Sequence, residues 1–377
     1  MKVVSVLTSE SRGGAEFAAV AMLDALSARG HETVLLTDQP DMADGRNVRA
    51  RFVDLGPKLS TRTWKALARR WPLVLWRLRR ELAAEAPYDA LLVHFKKEQL
   101  LAAMLPARLR ARLAWAEWGP VPLPFRTGAP RRAYVAAAGR ARVILAISDG
   151  TRRSVADTGI PSEKVTVVPN ALRADEIRFD GAGRRRVRRE LGIAAEDFVV
   201  GCVSRFHPKK RNDVVVEAVA QLGDGVRLLL VGEGETEPQL RAQAAALGVR
   251  AEFLPTPGAD VGAVLSAFDV SVFCPSPTEG APRAVIIAML AGRPCVSTGR
   301  EGVVDLIEPG TGAIVEPDND PSALTAILRA YQADPERRSL EGEEARRRAV
   351  ERFDAPVVGG LLEGLLGAGP QGPRRIE

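Results

Sequence analysis

A chain of 377 residues, 46% hydrophobic and 27% charged, is too long for a single ordinary core and too apolar to stay disordered, so two globular domains are expected. Its three cysteines, Cys202, Cys274 and Cys295, lie inside apolar runs without CxxC or metal-ligand spacing, which speaks for buried thiols in a reducing cytoplasm. The net charge of +6 is uneven: residues 1–170 carry 27 Lys/Arg against 16 Asp/Glu, yet no helix-turn-helix, zinc-finger or RNA-binding signature accompanies the excess, so a membrane or an anionic substrate is expected rather than nucleic acid.

The opening MKVVSVLTSE reads as a short strand rather than a signal peptide, and no apolar run is long enough to cross a bilayer. After KVVSVLT comes the glycine-rich SRGGAE (residues 11–16) and a helix from Ala15 to about Arg29, closed by Gly30. The strand HETVLLT follows, opened by His31. Residues 61–85, TRTWKALARRWPLVLWRLRRELAAE, are basic and carry Trp64, Trp71 and Trp76. They read either as a pair of helices interrupted at Pro72 that covers the sheet, or as a surface for peripheral contact with an anionic membrane. The runs YDALLVHF, RLAWAEW, RVILAIS and KVTVVPN complete a βαβ rhythm, the mark of a parallel sheet clad by helices.

That rhythm stops at Asn170. A less apolar stretch with the basic cluster GRRRVRRE reads as a linker and the first helix of a second domain, after which DFVVGCVSRF, VRLLLVGEG, VRAEFLP, VSVFCPS, PCVST and TGAIVE alternate with helices near 213–222, up to about 247, and after Pro282. The expected fold class is α/β, with two doubly wound domains at residues 1–172 and 173–353 and a terminal helix at about 354–368 packing back on the first. Such sheets bind ligands at the carboxyl ends of their strands, here expected around a shared cleft.

Three strand ends carry chemistry-bearing residues. Gly13 and Gly14 open the first helix, where backbone can approach a ligand and the helix amino terminus favours an anion. Neither this loop nor VGEGE at 231–235 has the full GxGxxG spacing, which lowers the odds of a dinucleotide site. In VSRFHPKKR, Arg205 ends a strand and Lys210 precedes the next helix. Together they suit a diphosphate leaving group, Arg as a planar fork and Lys as a point charge. In SPTEGAPRAV, Glu279 is a lone acceptor beside the amides of Gly280 and Ala281, with Pro282 suited to a first helical turn, an arrangement that fits a sugar's hydroxyl donors.

GGAE, VH at a middle strand end, VPN, SRF…KK, VGEGE, and PSPTEGAPRAV…AMLAGRPCVST…GVVDLIEPGTGAIVEPDND together resemble glycosyltransferase family 4, of the GT-B fold with two Rossmann-like domains facing a cleft. The resemblance implies retaining, metal-independent transfer of a sugar from a nucleotide-sugar, most simply a UDP-sugar, held by the second domain, to a small-molecule or lipid-linked acceptor held by the first. It implies no cofactor beyond that co-substrate. It makes Arg205 and Lys210 the diphosphate pair and Glu279, with Gly280 to Pro282, the grip on the donor sugar. Gly13 and Gly14 face the diphosphate, and His94 lies near the transferring sugar. Gly232, Glu233, Leu254 and Ile287 complete the donor side. Glu16, Lys96, Glu117 and Trp118 are assigned to the acceptor side, the Trp118 indole offering a flat face to a sugar.

Two positions depart from the family pattern. Ile287, eight residues after Glu279, stands where a second acid usually binds the ribose diol, a loss of about 1.5–3 kcal/mol if nothing replaces it. Trp118 in WAEWGPVP stands where many relatives have His. The triplet DND at 318–320 reads as helix capping, not a metal pair, and His31 and His207 read as structural or solvated. Two alternatives stay open: a nucleotide-sugar-binding homologue without catalysis, and another GT-B activity such as a sugar epimerase. The expected location is the cytoplasm, with peripheral contact to the inner face of a membrane through residues 61–85.

Overall fold

The computed structural model describes residues 1–9, 12–256, 258–276, 280–300 and 302–367. It divides into two compact units, residues 1–172 with 355–377, and residues 173–354.

The first unit runs β1 (Lys2–Leu7), α1 (Gly14–Ser27), β2 (Glu32–Thr37), β3 (Arg49–Phe52), α2 (Trp64–Glu85), β4 (Ala90–Val93), α3 (Lys96–Ala103), β5 (Ala114–Glu117), α4 (Gly128–Ala138), β6 (Val143–Ala146), α5 (Asp149–Ala156) and β7 (Val165–Val167). All neighbouring strands pair in parallel in the order β3-β2-β1-β4-β5-β6-β7. Helices cover both faces of such a sheet, which is why β1 and β4 are continuous apolar runs rather than alternating ones. The chain winds outward through β2 and β3, then returns to β4 beside β1, so the strand order reverses at β1/β4.

The second unit begins with α6 (Gly181–Glu190), N-capped by the Asp180 carboxylate. It continues with β8 (Phe198–Val203), α7 (Asn212–Ala220), β9 (Val226–Val231), α8 (Glu237–Ala246), β10 (Ala251–Leu254), α9 (Val261–Ala267), β11 (Val270–Phe273), α10 (Arg283–Leu290), β12 (Cys295–Thr298), β13 (Gly312–Val315), α11 (Pro321–Ala333) and α12 (Pro335–Phe353). Its parallel order β10-β9-β8-β11-β12-β13 reverses at β8/β11. The last helix, α13 (Ala355–Gly367), belongs to the first unit and packs on α1, where Gly359 leaves no room for a Cβ against the Ala25 carbonyl.

Two readings from sequence need correction. Residues 64–85 form one helix, not two, with Pro72 inside it. Pro72 and Ala68 are exposed, so water can satisfy the carbonyl that Pro72 leaves unpaired, while buried Leu67, Val74, Leu78 and Leu82 hold the helix on the sheet. The edge strand β3 was not anticipated: RARF is only four residues long and its apolar face, Ala50 and Phe52, stays largely open, while its two arginines reach Glu85, buried at the end of α2. Among the described residues no helix is long and apolar enough to cross a membrane.

Candidate functional site

In an open parallel sheet the crevice for a ligand lies beyond the carboxyl ends of the strands where their order reverses. In the second unit that point follows β8 and β11. The exit of β8 lies so close to that of β9 that no side chain fits between. A Cβ on Gly232 would stand 2.0 Å from the Ser204 carbonyl and one on Gly234 2.1 Å from that of Phe206, and both glycines have positive φ. The two exits are laced by backbone bonds, Ser204 N to Val231 O (3.0 Å) and Phe206 N to Glu233 O (2.9 Å), and Gly232 N to Leu254 O (2.8 Å) ties the exit of β9 to that of β10. This accounts structurally for the glycines of VGEGE, with Glu233 exposed and Leu254 half-buried at the end of β10.

Arg205 emerges from this lacing exposed, and no carboxylate pairs with it among the described residues. Residues 208–210 form a short 3-10 turn that the His207 ring caps by accepting from the Lys209 amide (3.1 Å), a structural role for His207. The turn is tied to the exit of β11 by the bond from Ser276 N to Lys209 O (2.9 Å), and the Lys210 ammonium lies 4.9 Å over the Phe273 ring. Lys210 is thereby held at the mouth of the strand that leads into SPTEGAP. Glu279 lies outside the described residues. Gly280 and Ala281 are half-buried, and Pro282 is the N-cap of α10 rather than a first-turn residue. Ile287 is half-buried on α10 and carries no hydrogen-bonding group there. Sequence reading overlooked Asn212, at the start of α7: it is buried, accepts from the Ser204 hydroxyl (3.0 Å), and its Nδ2 has no partner. A polar residue opening a helix just after a basic loop was the available signal.

In the first unit the corresponding point follows β1 and β4. His94, directly after β4, is 2% exposed, and its Nε2 lies 2.7 Å from the hydroxyl of Ser5 on β1. Burial pushes its pKa down to about 3, a smaller pull from Glu16 opposing. Trp118 stacks on it, ring centroids 5.6 Å apart and planes 18° from parallel. His94 Nδ1 and Trp118 Nε1 are both buried without a hydrogen-bond partner. Nearby Thr8 donates to Glu98, whose carboxyl is pushed up by burial and whose second oxygen has no partner.

The other acceptor-side assignments sit differently. Lys96 and Glu117 are buried against each other: Lys96 Nζ reaches both Glu117 oxygens at 2.5 and 2.6 Å, and Gln99 (3.0 Å) and the Tyr134 hydroxyl (2.8 Å) also donate to that carboxylate. Two opposite charges at the ends of adjacent elements in a dry core satisfy one another before any ligand arrives. Glu16 is 3% exposed and reaches back to the Gly13 amide at 3.1 Å, an acid at the third position of its own helix. Burial works to raise its pKa, but the Ser9 hydroxyl and Lys58 outweigh it and hold it low. Gly13 and Gly14 do form the entry of α1. His31 is structural, beside the Met1 amine and Glu363 of α13. Asp320 caps α11, and Asp318 pairs with Arg300. No group of metal-binding side chains occurs among the described residues.

Two family models match this chain, Glycosyltransferase Family 4 over residues 12–176 and Glycosyl transferases group 1 over residues 197–334. The chain belongs to glycosyltransferase family 4. Relatives include the D-inositol 3-phosphate glycosyltransferase of Geodermatophilus obscurus, 30% identical over 55% of this chain and 48% of its own. The putative colanic acid biosynthesis glycosyltransferase WcaL of Escherichia coli is 30% identical over 61% of this chain and 57% of its own. The matched stretches thus span about half the length of these relatives. Among solved structures, Anabaena HepE in complex with UDP and glucose superposes with a TM-score of 0.80 at 22% identity, over 97% of this chain and 99% of its own. The sucrose-phosphate synthase of Thermosynechococcus elongatus does so with 0.78 at 17% identity, over 97% and 98%. At these identities the likeness is one of fold, the two-domain GT-B architecture.

Proposed function

We propose that this chain transfers a sugar from a nucleotide-sugar, a UDP-sugar in the first instance, to a sugar-containing small-molecule or lipid-linked acceptor, with retention and without a metal. The observation that carries the reading is the tethering of the Lys210 turn to the exit of β11, beside exposed Arg205 at the exit of β8. A diphosphate leaving group gains negative charge as the glycosidic bond breaks, and a guanidinium and an ammonium carried at these strand exits stabilise that charge. The departing diphosphate can then take the acceptor's proton, so no dedicated protein nucleophile is needed. On the acceptor side, the unpartnered His94 Nδ1 and Trp118 Nε1 offer one acceptor and one donor to sugar hydroxyls, since a neutral imidazole keeping its proton on Nε2 leaves Nδ1 basic.

Names among the relatives favour this class: HepE was crystallised with UDP-glucose, and a mannosyltransferase of Mycolicibacterium smegmatis, 28% identical over 60% of this chain, is GDP-mannose-dependent. A panel of UDP-, GDP- and ADP-sugars, with and without chelator, scored by thermal stabilisation and slow donor hydrolysis, tests donor and metal together. Stabilisation by one donor, insensitive to chelator and accompanied by nucleotide release, is expected. Arg205→Ala and Lys210→Ala should each lower turnover by roughly 10²–10³-fold with the melting temperature unchanged; near-full activity would remove them from the site.

Ile287 favours a second reading, binding without catalysis, because an aliphatic side chain cannot hold a ribose diol. Ile287→Glu is expected to tighten nucleotide binding by about one to two decades, measured by calorimetry. Unchanged affinity would mean the ribose is held elsewhere. Donor stabilisation without hydrolysis or transfer to any acceptor would favour the binding protein, and altered sugar stereochemistry without an acceptor an epimerase.

A further inference from the structure

Residues 57–80 contain eight Lys/Arg and no Asp/Glu. Most of that stretch is α2, whose inner face is spent on the sheet through Leu67, Val74, Leu78 and Leu82. The outer face combines two features that a solvated helix normally keeps apart. Trp76 and Leu73 on this face are 54% and 43% exposed and Trp64, on the first turn of the helix, is 51% exposed, while Lys65, Arg69, Arg79 and Arg80 are exposed among them. The acids of α2 do not neutralise this face: Glu85 is buried, bound by Arg49 and Arg51, and the Glu81 side chain is only 13% exposed. Arg77 reaches Asp54, and Arg80 is shared between Glu81 and the Trp76 ring, 5.2 Å away. Arg62, Lys65, Arg69 and Arg79 have no carboxylate partner among the described residues. At the rim, Trp71 donates its indole N–H to the sulfur of Met104, which is 57% exposed and adds a further apolar tip.

We propose that the outer face of α2 docks on an anionic phospholipid bilayer. The charge complementarity names the partner. A protein surface would have to bring acids in register with irregularly spaced cations and also pockets for two indoles. A bilayer surface supplies both without register: a diffuse negative potential for the cations and an interfacial zone in which Trp side chains settle. Pro72 fits the same face, since its missing N–H frees one carbonyl, that of Ala68, to the polar headgroup layer. The arginines lie beside the indoles, so their stems can follow the apolar tips inward while the guanidinium groups stay at phosphate level. Docking here would deliver the enzyme to a lipid-linked acceptor, but the surface is argued independently of the reaction.

The test is co-sedimentation of the full chain with vesicles of phosphatidylcholine, with and without a one-third share of phosphatidylglycerol. Each cation near such a surface is worth roughly fivefold in partitioning, so Arg69→Glu combined with Arg79→Glu is expected to weaken binding to the anionic vesicles by at least about a hundredfold. Added salt should weaken wild-type binding steeply, because the Debye length falls from about 10 Å at 0.1 M to about 3 Å at 1 M. Trp64→Ala with Trp76→Ala should weaken binding while keeping its salt dependence, and should remove the blue shift of tryptophan emission that vesicles induce. All four side chains are exposed, so unchanged melting temperatures serve as the control for folding. Equal binding to pure phosphatidylcholine, undiminished binding by the charge-reversed variant, or no binding at low salt would each overturn the proposal. So would retention on RNA in the absence of vesicle binding. None of these readouts uses a sugar donor, so they stand or fall apart from the proposed transfer.

Discussion

Burial pushes the His94 imidazole down to about 3, so the ring stays neutral throughout the neutral range. The unfolded chain takes up this proton near pH 6.5, whereas the folded chain refuses it until about 3; between those values the unfolded state binds more protons and is favoured by acid. The stability that His94 contributes is therefore full above about pH 6.5 and is lost on acidification, at a slope approaching 1.4 kcal/mol per pH unit. Glu98 opposes it: burial raises its pKa, so its folded form favours a proton that the unfolded chain releases, and its cost appears as pH rises. Comparing wild type with His94→Asn by thermal melting between pH 4 and 8 isolates the histidine. The stability advantage of the wild type should shrink as pH falls below 6.5, and parallel curves would contradict a buried neutral ring. At this scale the sequence placed His94 and Arg205 at strand exits and Lys210 in the loop before the next helix, where the fold has them. It did not show that Lys96 and Glu117 pair with each other, since residue type says that a charge is present but not that its counter-charge lies 2.5 Å away on another element.

At the scale of elements, α2 shows how tertiary context overrides local preference. A proline in a helix interior costs about 3 kcal/mol relative to alanine, and Pro72 is borne because Leu67, Val74, Leu78 and Leu82 anchor both sides of it in the core. Pro72→Ala is expected to raise stability by roughly 1–3 kcal/mol, read as a higher urea midpoint. No gain would mean that the proline sets a bend that α2 needs to lie on the sheet. The strand β3 teaches the converse. RARF alternates over four residues only, too short a run to be recognised as a strand, and it becomes one because β2 offers a free edge and Glu85 of α2 accepts its arginines. The lacing at β8 and β9 is similar in kind. Two glycines in VGEGE mark a turn in any sequence, but only the neighbouring exit of β8 explains why a methyl group is excluded there.

For the molecule as a whole, a helix from the far end of the chain completes the first unit. Val358, Leu362 and Leu366 of α13 are buried, and Arg29 and His31 both meet Glu363. Leu362→Ala should cost about 2–5 kcal/mol through a cavity against α1. Limited proteolysis is expected to show residues 1–172 opening before residues 173–354, and simultaneous loss of both would mean that the defect spreads beyond the first unit. The alternation of apolar strands with helices, the break after Asn170 and the placing of charged residues at strand ends were all legible in the sequence, because each follows from side-chain periodicity along a single element. The order of strands, the reversals at β1/β4 and β8/β11, the continuity of α2 and the mutual neutralisation of Lys96 and Glu117 came only with the fold. Each of these depends on contacts between segments far apart in the chain, and no local pattern of residues records them.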